Sequence, residues 1–332
     1  MSHPILFRRL AGLGAVLALC VIVFGAFVRL SDAGLGCPDW PGCYGQLGAP
    51  SSPEHIAAAQ AAYPEMAVDT AKAWIEMGHR YIASLLGLLI LGLAVIAWRG
   101  RHDSLPWKTS LALLSLVVFQ GLLGMWTVTL LLKPAVVTAH LLGGMTTLAL
   151  LFGLWLSQRQ APAVATGGAL RALAVAAIAA VGVQIALGGW VSTNYAALAC
   201  TEFPACHDGQ LLPEMDLTEG FVLWRGIGQN YEYGVLEHPA RTAIHIVHRI
   251  GAVGVTAIVG AFALLLMAAG AAWRGLGLAL LGALTLQIAI GIGIVVQHLP
   301  LGLATAHNAG AALLLLASLT AAMSVLRAPE AP

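Results

Sequence analysis

Eight stretches of about 20 apolar residues recur along this chain, the length an α-helix needs to cross the ~30 Å hydrocarbon core of a bilayer. They cover approximately residues 10–30, 73–98, 109–131, 134–157, 171–192, 241–268, 273–297 and 301–326. Between residues 109 and 132 there is no charge at all. In hydrocarbon every backbone N–H and C=O must be satisfied, so continuous apolar runs of this length form helices. Strands of a membrane barrel would alternate in hydrophobicity over about 10 residues, and these runs do not. The first run follows Arg8 and Arg9, as in a signal peptide, yet residues 10–28 are 19 uncharged residues without a small-residue cleavage site. It reads as a retained helix. Only 9% of the 332 residues are charged, against roughly 25% in soluble proteins. The 16 basic and 15 acidic residues leave no basic excess for a nucleic-acid partner. The fold class is therefore an all-α integral membrane protein.

Charge placement orients the helices. With the N-terminus inside, the inner segments hold Arg8, Arg9, Arg99, Arg101, Lys108, Arg159, Arg171, Arg274 and Arg327. The outer loops hold Lys72, Lys133 and Arg225. This is the positive-inside pattern. It puts both termini in the cytoplasm and the two long loops, residues 31–72 and 193–240, on the outer face. Four of the five cysteines lie in those loops, Cys37 with Cys43 and Cys200 with Cys206. An oxidising exterior favours two local disulfides; two pairs of free thiols or a metal site are the alternatives. Cys20, within the first span, reads as a packing residue.

The second half repeats the first. Cys37, Cys43, Gly45 and Gln46 return as Cys200, Cys206, Gly209 and Gln210, with both cysteines shifted by 163 positions. His79-Arg80 returns as His248-Arg249, and Gln120 with His140 returns as Gln287 with His307. Four helices per half with the same sense make a parallel repeat whose axis follows the membrane normal. The expected organisation is two parallel-repeated four-helix bundles, residues 1–160 and 161–332.

Ionisable residues inside spans are costly and mark function. His79, His140, His248 and His307 each lie a turn or two from the outer end of an even-numbered span, so the four imidazoles share one depth. Two helices facing each other in a bundle can place imidazoles on opposite sides of one metal, and haem iron takes such axial ligands. Zinc is disfavoured because neither half supplies further ligands at that depth. Arg80 and Arg249 follow the ligand candidates directly, where a guanidinium suits a haem propionate; snorkelling to lipid phosphate is the alternative. The halves differ three residues before the first histidine of each pair. Glu76 precedes His79, whereas His245 precedes His248. At i, i+3 these side chains share a helix face, so Glu76 would stand beside the first haem, where a carboxylate serves proton transfer or stabilises developing positive charge. The other reading is that Glu76 faces the outer interface. His245 is left unassigned.

These residues resemble the haem A synthase family, membrane oxidoreductases that oxidise the C8 methyl of haem O to the formyl of haem A. The resemblance spans essentially the whole chain. It rests on Glu76-Met-Gly-His79-Arg80, on Arg29-Leu-Ser-Asp-Ala-Gly-Leu-Gly-Cys37, on His140, on His248-Arg249 and on Leu303-Ala-Thr-Ala-His307-Asn. It implies that His79 and His140 flank the haem O substrate in the N-terminal half. It also implies that His248 and His307 ligate a haem b cofactor, that Glu76 is catalytic, and that disulfides join Cys37–Cys43 and Cys200–Cys206. The implied setting is a bacterial inner (plasma) membrane, with lipid, a haem O synthase and cytochrome oxidase assembly as partners. A rival function is a di-haem b-type membrane electron-transfer cytochrome, which accounts for the histidine pairs but not for the lone Glu76 or the cysteine loops. A transporter would show broken helices near the midplane, which the Gly and Pro positions do not mark.

Overall fold

The computed structural model describes residues 3–159 and 164–330. The 160/161 boundary read from the sequence lies outside the described residues. Among those residues the regular elements are all helical: α1 His3–Leu30, α2 Pro53–Ala62, α3 Thr70–Arg99, α4 Trp107–Thr129, α5 Pro134–Ser157, α6 Gly168–Thr193, α7 Leu217–Gly220, α8 His238–Ala268, α9 Ala271–Val296 and α10 Leu301–Arg327, with one 3-10 turn at Arg101–Asp103. Eight of them are long and apolar enough to cross a membrane, all but α2 and α7. Each is a continuous helix over its span. The chain is a multi-pass membrane protein.

Local chemistry explains where the helices start and stop. Asp69 caps α3 by accepting from Ala71 and Lys72 N–H at 3.0 and 3.1 Å. Ser52 caps α2, accepting from His55 N–H at 3.2 Å, with Pro53 in the first turn, where a missing N–H costs nothing. The α4–α5 link turns through two left-handed residues, Leu131 and Leu132, and the α9–α10 link through His298 and Leu299, 167 positions later. The repeat read from the sequence thus recurs in backbone conformation at these links.

Contacts divide the chain into two compact units, residues 1–148 with 222–235, and residues 149–221 with 236–332. In the first unit α1 packs on α3 and α3 on α4. In the second, α6 packs on α8, α8 on α9, α9 on α10 and α10 back on α6, which closes a ring. The short segment 222–235, part of the second long loop, belongs to the first unit. Tyr231 is buried there with Leu35, Val128 and Leu132, and its N–H donates to Leu131 O at 3.0 Å. Lys133, 2% exposed, donates from Nζ to the carbonyls of Arg225 and Gly226, and Nζ stands 3.9 Å from the centroid of the Trp224 ring. Partial burial raises the Glu232 carboxyl above the ordinary range. Cys20 is exposed on α1 rather than packed; a thiol behaves as a small apolar group and lies as readily against lipid as in a core.

Candidate functional site

Each long loop is tied down by a disulfide and by one arginine. Cys37–Cys43 and Cys200–Cys206 are both formed, and all four residues are fully buried. An acid two residues after the first cysteine organises each turn: Asp39 accepts from Tyr44 and Gly45 N–H at 2.6 and 2.8 Å, and Glu202 from Gly209 N–H at 3.1 Å. Tyr44 is buried beneath the first loop against Tyr63, and burial raises its phenol pKa, with the nearby carboxylates adding to the effect.

Arg80, one residue after His79, donates to the carbonyls of Asp39, Pro41 and Gly42, at 3.0 and 3.2 Å to the first two. Arg249, one residue after His248, donates to Glu202, Pro204 and Ala205 carbonyls at 2.8, 3.3 and 2.8 Å. Both guanidinium groups therefore hold the disulfide loops by their backbone oxygens. The sequence reading supplied no such partners, because a carbonyl presented by a tight loop leaves no residue signature.

Glu76 is 5% exposed. It pairs with Arg80 on its own helix, and it accepts from Cys37 N–H at 2.9 Å. A buried carboxylate is tolerable when its lone pairs are met in this way. Gly36 owes its identity to this closeness, since a Cβ there would lie 2.6 Å from the Lys72 carbonyl carbon. His245, the matching residue in the second half, works with opposite polarity: its Nδ1 meets the Ala196 carbonyl at 3.0 Å. The halves therefore share a tether from helix to loop but differ in its charge. Only the first places an anion, Glu76, one turn from its histidine.

The four histidines come together as two pairs. His79 and His140 are close enough to interact electrostatically, and so are His248 and His307. Every ring lies against a glycine of a neighbouring helix. A Cβ on Gly25 would sit 2.8 Å from His79 Nε2, and Cβ atoms on Gly124, Gly188 and Gly291 would sit 3.5, 3.2 and 3.1 Å from Cε1 of His140, His248 and His307. His140 Nδ1 is buried with no hydrogen-bond partner among the described residues. No group of three or more His, Cys, Asp or Glu able to hold a metal ion occurs among the described residues. Two imidazoles without further protein ligands fit a metal that brings its own equatorial ring, as haem does, and not a bare ion.

Gln184 was not among the residues that the sequence singled out. It stands in α6 with its amide on His248, in the manner of Gln120 on His140 and Gln287 on His307. A glutamine within an apolar span was the available signal.

The family model described as cytochrome oxidase assembly protein matches residues 8–319. The chain is 46% identical to the haem A synthase of Shewanella oneidensis over 92% of each chain. It is 30% identical to that of Maricaulis maris over 95% of this chain and 94% of the relative, and 31% identical to that of Rhodopseudomonas palustris over 92% and 87%. The chain therefore belongs to the COX15-CtaA family of cytochrome oxidase assembly proteins.

Proposed function

We propose that this chain works as a haem A synthase, a membrane oxidoreductase that takes haem O as substrate and oxidises its C8 methyl to the formyl of haem A. The observation that supports this over a di-haem electron-transfer cytochrome is the asymmetry at Glu76. Two histidine pairs recur, yet only one has a buried carboxylate on the same helix face. A cytochrome that only passes electrons gives no reason for that difference.

In this reading His79 and His140 receive the substrate haem. His248 and His307 hold haem b as the resident cofactor, which when bound supplies one-electron redox chemistry for electrons leaving the substrate. The methyl is oxidised twice, through a hydroxymethyl and a hydrated aldehyde that loses water. Each oxidation takes up one water oxygen, releases two protons and passes two electrons on to an external acceptor, and Glu76 is the carboxylate in place to move one of the protons. Its partner Arg80 and the Cys37 N–H hold that carboxylate in a fixed orientation. Arg80 and Arg249 close the outer edge of the two sites, where a haem propionate would meet a guanidinium. The two halves are two four-helix bundles related as a parallel repeat, in a plasma membrane with both termini cytoplasmic. A haem O synthase upstream and cytochrome oxidase assembly downstream are the proposed partners.

Pigment extraction from the purified full chain tests the reading. Haem O or haem A recovered together with haem b supports the synthase; haem b alone, filling both sites, supports the cytochrome.

A further inference from the structure

Three of the four histidines carry a brace that the fourth lacks. Gln120 Nε2 donates to the His140 carbonyl at 2.8 Å, Gln184 Nε2 to the His248 carbonyl at 3.0 Å, and Gln287 Nε2 to the His307 carbonyl at 3.0 Å. Two of these amides also reach the imidazole. Gln184 Nε2 lies 3.1 Å from His248 Nδ1, and Gln287 Nε2 lies 3.2 and 3.3 Å from the two ring nitrogens of His307. In each case a glycine three residues after the histidine makes room. Gly143, Gly251 and Gly310 lie so close to the glutamine amide oxygen that a Cβ would overlap it. His79 departs on both counts. The position three residues later is Ile82, and the repeat of Gln184 in α1, 163 positions earlier, is Val21. The His79 ring instead lies against α1, with Nε2 turned against Gly25.

We propose that this brace divides fixed haem ligands from a releasable one: His140, His248 and His307 are held, and His79 is the ligand that lets go so that substrate can enter and product leave. The inference rests on the reading above that His79 and His140 receive the substrate. Its physical basis is the cost of an unsatisfied imidazole in an apolar span. A histidine that leaves iron there must turn to another partner, and His79, with no glutamine amide pinning its helix, can do so. A braced histidine has its backbone and its helix register pinned by the neighbouring helix, so ligand loss requires breaking that contact too. A synthase must exchange one haem every turnover and keep the other, and the brace is absent from one ligand of one pair only.

The test is transfer of haem from the purified, haem-loaded full chain to excess apomyoglobin, followed by absorption spectroscopy at both sites. The wild type should release haem in two phases, a fast one from the N-terminal site and a slow one that carries the low-spin haem b spectrum. V21Q/I82G, which builds the missing brace, should slow the fast phase. Q184M, which keeps volume but removes the donor, should speed the slow phase. A net hydrogen bond changes an equilibrium by about threefold to tenfold, and each variant should move its own phase by that order and leave the other phase in place. Single-phase release from the wild type, or a Q184M slow phase at the wild-type rate, overturns the proposal even if V21Q/I82G fails to fold. Failure of the functional reading looks different. Two-phase release that responds to both variants, in a chain that forms no haem A in cells supplied with haem O, refutes the synthase and leaves the brace standing. Haem A formation with single-phase release does the reverse.

Discussion

Replacing Glu76 by Gln is the sharpest perturbation of the proposed chemistry, because it changes charge with almost no change in shape. The glutamine oxygen can still accept from Cys37 N–H, so the loop retains that attachment. What disappears is the ion pair with Arg80. Removing one partner of a buried pair typically costs about 3–5 kcal/mol when the survivor is left alone. Arg80 is not left alone, since three loop carbonyls still accept from it. The loss should thus approach that of one charge-assisted hydrogen bond, about 1.5–3 kcal/mol. The variant should fold, melt somewhat earlier, and keep the low-spin spectrum of the second site. Conversion should fall much further, by about 10²–10⁴-fold if the carboxylate moves a proton in the reaction. The assay is haem extraction from a host that makes haem O but no haem A, with thermal unfolding of the same purified protein. Haem A at the wild-type level from folded Glu76→Gln protein would refute the catalytic role. A conversion loss no greater than that of Arg80→Met, with equal destabilisation, would assign Glu76 to the loop tether alone.

Other expectations follow from the same geometry. His248→Ala or His307→Ala should abolish the bis-histidine low-spin spectrum of haem b, and a fully retained spectrum in either would contradict the ligand assignment. Removing Cys200 and Cys206 together should cost about 2 kcal/mol by the loop-entropy estimate for so short a ring, seen as faster protease cleavage within residues 201–210 of the otherwise intact protein. Tyr231→Ala removes a buried ring that anchors segment 222–235 and should cost about 3–5 kcal/mol locally, as for other buried aromatics. Limited proteolysis should then cut that segment sooner while the haem b spectrum holds, and unchanged cleavage would show that the anchor is not needed.

How much of this was legible in the sequence depends on the kind of signal. The eight spans were, since hydropathy alone brought every boundary to within a few residues apart from the start of α1, and 134–157 coincided with α5. The helix begins at His3 and passes through Arg8 and Arg9 because long cationic side chains reach the interface while their backbone stays helical. Helix α2 was missed although Ser52-Pro53 at its start is a readable cap; its ten residues fall below the length that hydropathy detects. The pairing of histidines was legible from the repeat. The work of Glu76, Arg80 and Arg249 on the loops was not, because their partners are backbone atoms brought near by tertiary folding. Residues 222–235 were equally silent: nothing in their composition says that they join the first unit rather than the half that encodes them. Gln120 and Gln287 stood out as repeat landmarks, yet their role needed coordinates, and Gln184 with its exception at Val21 emerged only once the amides were seen on the histidine carbonyls.

Following haem O itself on the purified chain decides between enzyme and cytochrome. Protein isolated with haem b in its C-terminal site is given haem O and an electron acceptor, and the extracted pigments are resolved by mass over time. Haem O should give way first to its hydroxymethyl form and then to haem A, in protein whose haem b stays bound. Haem O recovered unchanged, from protein whose haem b is reduced and reoxidised normally, would contradict it and identify an electron-transfer cytochrome.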